Sequence, residues 1–231
     1  MNTLKDLKTA VLVHMYDSRI KDWEEIMWGD PKTGRLGRAS KGLQEAWKWT
    51  ADNIIFSDAL MGEDGITESQ RTLEYVKTHV TDLVKLFPIG ASEILSWLSA
   101  RVVIDGCPRN TPEEIMVAAE FSKKHQIGRL VLVSSPTHIM RCHKAAISIL
   151  GADPVYRPLL HNLYAVASDT CYADSTVDDV IIIDPPCQSE MSNVRFCDTM
   201  KEILPFLHNP ELAPGLNKEL REIIEKWRQK L

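Results

Sequence analysis

Between residues 129 and 150 the chain reads RLVLVSSPTHIMRCHKAAISIL: a short apolar run, a polar turn, then helical spacing. Pro136 stands where a first helical turn accepts proline, since the N–H there has no partner within the helix. His138 and Arg141 follow three residues apart, on one face of that turn. A histidine near its working pKa can move a proton. An arginine one turn later offers a planar fork to a phosphate or carboxylate. Ser134 and Ser135, just upstream, bring hydroxyls that either cap the helix or meet a ligand. Polar residues at a strand-to-helix handover are what a parallel α/β sheet presents to ligands, outside the carboxyl ends of its strands.

Three further segments end in the same position: residues 14–17, 57–68 and 105–113. They bring His14, Glu68, Asp105, Asn110, Thr111 and Glu113 to one candidate site. Each has an ordinary reading as well. Glu68 and Glu113 in first helical turns complement the helix dipole by about 0.3–1 kcal/mol. Asn110, Thr111 and Ser135 cap helices, His138 caps or packs, and Arg141 pairs with a surface acid. The combination says more than its parts. Helix starts with open N–H groups favour an anion, so the set suits a polyanionic or zwitterionic small molecule. In this reading His138 is the acid/base or anion contact and Arg141 the anion clamp. Glu68 and Glu113 are then the polar or metal-linked partners, catalytic with His138.

Other motifs are weaker. No G-x-G-x-x-G or G-x-x-x-x-G-K-[ST] occurs, so a standard dinucleotide or P-loop site has no support. His138 and Cys142 at i, i+4 do not make a metal site, and no metal is expected. Asp184-Pro185-Pro186 resembles the acidic-Pro-Pro motif of amino-methyltransferases. Cys187 stands where that motif has an aromatic residue, so a strand end turned by prolines is the plainer reading.

The elements that position these residues follow from periodicity and punctuation. Strands are expected at 10–16, 53–59, 101–106 and 129–133, with further ones at PVYRPL, LYAVAS and DDVIIID. Helices are expected at 38–49, 68–86 and 92–100, and from Thr111 to about residue 125, with Thr111 as N-cap, Pro112 at N1 and Glu114 at N3. Another begins at Pro136, and two close the chain at 195–207 and 217–229. Residues 17–37 hold two tryptophans in a long connection, either a lid or a surface loop packed through Trp23 and Trp28. Strands alternating with helices give an α/β fold whose mainly parallel sheet is covered on both faces. One domain of 1–231 is expected.

The 231 residues suffice for a core without staples. A net charge of −5 disfavours nucleic acid and anionic membranes as partners. The five cysteines are odd in number and include no C-x-x-C, which fits free thiols in a reducing compartment. No apolar run approaches a membrane span and no secretory signal opens the chain. The expectation is a cytoplasmic protein with a small-molecule ligand, its oligomeric state open.

The segments IDGCPRNTPEE and LVLVSSPTHIMRC, about twenty residues apart, together resemble the YdcF-like family, a domain of unknown function that includes the SanA and ElyC envelope proteins. Members show an acid, then Ser-x-Asn-Thr-x-Glu-Asn, then a strand ending Val-Thr-Ser followed by His-Met-x-Arg-Ala. Asp105, Asn110, Thr111 and Glu113 match the first motif, and Ser134, His138 and Arg141 the second. Glu68 resembles the family's helix start after the second strand, and Arg38 or Arg35 its early arginine. The likeness covers residues 10–170, leaving 171–231 as a C-terminal extension. Departures are plain: His14 and Ser57-Asp58-Ala59 replace the glycines after the first two strands, Pro108 replaces the serine and Glu114 the asparagine. The resemblance implies a Rossmann-like three-layer sandwich. It leaves the cofactor open, with S-adenosylmethionine or a nucleotide as candidates, and the enzyme question open too. The other reading is a non-catalytic ligand-sensing or scaffold protein on the same fold.

Overall fold

Successive apolar runs rich in Val, Ile and Leu form strands because their side chains can be buried on both faces of a parallel sheet. The computed structural model describes residues 7–16, 18, 21–57, 65–105, 108, 110–171 and 218, with the side chain of Asp105 outside that set. In chain order the elements are β1 (Thr9–His14), the short α1 (Trp23–Met27), a two-stranded hairpin of β2 (Gly29–Asp30) and β3 (Arg35–Leu36), and α2 (Arg38–Lys48). There follow β4 (Asn53–Ser57), α3 (Glu68–Thr78), a 3-10 turn (Val80–Lys85), α4 (Ala91–Ser99) and β5 (Val102–Asp105). The last are α5 (Thr111–His125), β6 (Arg129–Ser134), α6 (Pro136–Ala152), a second 3-10 segment (Arg157–Asn162) and β7 (Leu163–Ala167).

The main sheet is parallel throughout, in the order β5-β4-β1-β6-β7. The chain steps outward from β1 through β4 to β5, then returns to the other side of β1 with β6 and β7. The topological switch point therefore lies between the carboxyl ends of β1 and β6, where doubly wound sheets bind ligands. Val11, Val13, Ile54, Phe56, Val131 and Val133 face one layer, with Ala39 and Leu43 of α2, Val76 of α3 and Ile94 of α4. Ala10, Leu12, Ile55, Leu130 and Leu132 face the other, with Ile115 and Ala118 of α5 and Cys142 and Ala146 of α6. This is the expected three-layer α/β architecture. No helix among the described residues is long and apolar enough to cross a membrane.

Close packing of α2 on β1 explains a glycine inside a helix. A Cβ built on Gly42 would run into Val13 Cγ2. Alanine is favoured over glycine in a helix interior by about 1 kcal/mol, so Gly42→Ala should stabilise if propensity ruled. Overpacking at this contact is expected to win, with a net loss of about 1–2 kcal/mol in urea unfolding. Equal or greater stability would show that the helix can shift.

Several boundaries differ from the sequence expectation. PVYRPL is no strand: the chain turns at 153–156 and enters the 3-10 segment. Asp153 directs this, its carboxylate accepting from the Val155 N–H (2.8 Å) and its carbonyl from the N–H groups of Tyr156 and Arg157. Such local capping outweighs an alternating apolar pattern. The helix expected over 68–86 ends at Thr78. The connection before α2 is packed from Trp23 onward. Ile26, Met27 and Trp28 are buried, Thr170 Oγ1 donates to the Ile26 carbonyl, and the Asp169 carboxylate accepts from Leu36 N–H. That favours the packed loop over the lid for residues 23–37. The strand DDVIIID, the two terminal helices, Asp184-Pro185-Pro186 and all of the extension but Cys171 and Lys218 lie outside the described residues.

Candidate functional site

Strand register lines up the polar residues at the switch point. His14 pairs with Ser57, Ser57 with Asp105, and Val13 with Val133, so Ser134 falls beside His14. Strand periodicity puts His14, Ser57 and Ser134 on the α5/α6 face, beyond Leu12, Ile55 and Leu132. α5 and α6 begin above this row.

His14 is fully buried and its Nδ1 lies 2.6 Å from Glu114 Oε2. Burial pushes its pKa down, but the Cys142 sulfur and the Glu114 carboxylate more than offset this and hold it at about 10. At neutral pH the pair is an imidazolium donating to a carboxylate. His14 Nε2 makes no hydrogen bond of ordinary geometry among the described residues.

His138 stands edge-on to His14, with ring centroids 6.0 Å apart. Its Nδ1 lies 3.0 Å from Ser134 Oγ and its Nε2 3.3 Å from Thr111 Oγ1. The Cys142 sulfur is 3.5 Å from Nδ1. Burial, then the charges of Arg38, His14 and Arg141, push His138 down to about 3. The two histidines are thus split: His14 carries the proton and His138 stays neutral. Either tautomer of His138 suits its hydroxyl partners, which can donate or accept. Held so low, the ring is a competent hydrogen-bond donor and a poor base.

Arg38 opens α2 on the opposite layer and reaches across the switch point. Its Nε donates to Ser135 Oγ (2.6 Å) and its Nη1 to the carbonyls of Met15 (2.8 Å) and His14 (3.3 Å). The guanidinium also lies over the Tyr16 ring. With Ser135 turned to Arg38, no side chain caps the first turn of α6. Arg141, one turn further on, is exposed and makes no hydrogen bond or ion pair among the described residues.

The remaining expected residues are placed as follows. Asn110, not Thr111, is the N-cap of α5. It accepts from Glu113 N–H (3.0 Å) while its Nδ2 donates to Glu113 Oε1 (3.0 Å), and Pro112 sits one position later than expected. Glu113 is turned to the helix start and Glu114 inward. Glu68 is buried in the first turn of α3, a helix of the other layer. The backbone of Asp105 ends β5 in line with Ser57. Sequence reasoning missed Glu114 and gave Cys142 no role. Both were readable as polar groups on apolar stripes: Glu114 with Ile115 and Ala118, Cys142 with Ile139 and Ala146. Among the described residues no three His, Cys, Asp or Glu side chains gather to hold a metal.

The split histidines make stability depend on pH in two directions. His14, raised from 6.5 to about 10, contributes stability that is complete below about pH 6.5 and is lost as pH rises toward 10. His138, lowered from 6.5 to about 3, contributes stability that is complete above about pH 6.5 and is lost as pH falls toward 3. Each limb has a slope of at most about 1.4 kcal/mol per pH unit. Urea unfolding across pH should show the acid limb flattened in His138→Gln by up to that amount. An unchanged acid limb would mean that His138 is not held neutral in the fold. The chain matches no protein-family model, no curated protein and no solved structure.

Proposed function

We propose that the chain is a cytoplasmic protein binding a small phosphorylated or nucleotide-like ligand at the β1/β6 switch point. S-adenosylmethionine is among the candidates that the YdcF-like resemblance brings. The observation that supports this most is Arg141, exposed beside a half-buried neutral histidine at a helix start that no side chain caps. A guanidinium fork and an N–H donor ring suit phosphate oxygens. In this reading His138 and Arg141 touch the ligand, Thr111 and Ser134 orient His138, and His14, Glu114, Arg38 and Ser135 brace the site. Any catalysed step runs through His138.

A melting-curve screen over nucleotides, sugar phosphates and S-adenosylmethionine tests it. A ligand at a hundred times its Kd adds about 2.7 kcal/mol, which for a chain of this size raises Tm by roughly 5–10 °C. Arg141→Ala and His138→Ala should remove that rise. A hit unaffected by both substitutions would put the ligand elsewhere. The second reading is a scaffold or sensor without catalysis, favoured by how much of the cluster is bonded internally: His14 to Glu114, Arg38 to Ser135 and two carbonyls. It gains if no ligand in the screen moves the melting curve.

A further inference from the structure

Positive charge reaches His138 from three elements. β1 contributes His14, edge-on at 6.0 Å between centroids. α2 contributes Arg38, bonded to Ser135 beside Ser134. α6 itself contributes Arg141 one turn on, with the Cys142 sulfur 3.5 Å from Nδ1. β6 and α5 face the ring with hydroxyls, Ser134 and Thr111. Glu114 is engaged with His14, and Glu113 is turned to Asn110. β5 ends at Asp105, whose side chain lies outside the described residues. The described surroundings thus hold three cations, one inward carboxylate and the Cys142 thiol.

The hydrogen bonds of His138 would survive a second proton. Both nitrogens end on hydroxyls, and a hydroxyl accepts as readily as it donates. Burial and the neighbouring charges oppose protonation, and an anion arriving beside Arg141 would offset the charges. The fully buried His14 side chain leaves Nε2 without a partner of ordinary hydrogen-bond geometry among the described residues, with the Cys142 sulfur beside the ring.

We propose that the site takes a doubly charged tetrahedral oxoanion together with one proton, which His138 accepts, so that the ligand group is a terminal phosphate or sulfate and not a carboxylate. The proton comes from solvent and rests between His138 and the hydroxyls of Ser134 and Thr111, and no bond of the ligand is made or broken. The inference rests on the anionic-ligand reading above and adds to it the charge of the group and the proton that travels with it.

Sulfate is the probe, because it stays dianionic from about pH 8 to about pH 5 and any proton taken up belongs to the protein. Calorimetry in buffers of unlike ionisation enthalpy should show proton uptake on sulfate binding. Sulfate affinity should rise as pH falls, by up to about tenfold per unit. Acetate should bind at least about tenfold more weakly and without uptake. The ring C–H signals of His138 should titrate at a higher pH in saturating sulfate, a readout on the unsubstituted protein that needs no variant to fold. His138→Gln should bind sulfate with an affinity that no longer follows pH. Sulfate binding that needs Arg141 but carries no proton uptake would overturn this inference and leave the proposed function standing. Absence of saturable sulfate binding would remove both.

Discussion

Glu114→Gln is expected to cost the fold about 3–5 kcal/mol, the range for a buried ion pair broken from one side. The carboxylate sits 2.6 Å from His14 Nδ1, and the imidazole it serves has no exposed surface. Glutamine keeps the shape and a carbonyl oxygen but removes the charge that, together with the Cys142 sulfur, outweighs burial. His14 then either stays charged beside the Cys142 sulfur alone or sheds its proton, and both routes give up part of the stabilisation implied by its raised pKa. For a chain of this size the loss corresponds to a fall of roughly 6–20 °C in Tm. Glu113→Gln, one residue away at the helix start, should stay within about 1 kcal/mol, the scale of its cap contact with Asn110. Removing both partners, as His14→Asn with Glu114→Gln, should recover part of the single-mutant cost, since no unpaired charge remains. A loss under about 1 kcal/mol in Glu114→Gln would mean that the pair is not an ion pair.

The contrast between Glu113 and Glu114 shows what could be read beforehand. The helix itself was legible in Asn-Thr-Pro-Glu-Glu, but Asn110 and Thr111 are both good caps. Neighbouring residues on a helix point about 100° apart. The cap position alone therefore does not say which glutamate faces the sheet; the stripe with Ile115 and Ala118 does. His14 was legible as the end of a buried apolar strand, on the face of Ala10 and Leu12. That α5 and α6 would cover this face follows from the crossover side, which no local spacing records. His138 and Arg141 were found because both stand on one helix turn. Cys142 was harder, because a cysteine on an apolar stripe looks the same whether it packs on leucine or on two histidines. Arg38 belongs to a helix in the opposite layer, and its reach across the switch point exists only once β1 and β6 lie side by side.

That reach makes Arg38→Ala the second large expected effect, about 3–5 kcal/mol. The side chain is 1% exposed and ties Ser135 Oγ to the carbonyls of His14 and Met15. Truncation leaves those acceptors short of a donor inside the protein, at about 1–3 kcal/mol for each group left unsatisfied, and opens space against Tyr16. Arg38→Lys keeps the charge, but an ammonium is a point donor on a thinner stem and cannot span the hydroxyl and both carbonyls as the fork does. It should still lose about 1–3 kcal/mol. Arg38→Met separates charge from geometry. The Arg38 charge is the largest cause after burial of the low pKa of His138, so the methionine variant should raise that pKa while the lysine variant holds it down. NMR titration of His138 in the two variants reads this independently of stability. If Arg38→Ala costs less than about 1 kcal/mol, the guanidinium does not brace the switch point. It would then be available as a direct ligand contact. If the cost is large and the pKa of His138 follows the charge, Arg38 holds the two strand ends together and also keeps His138 neutral.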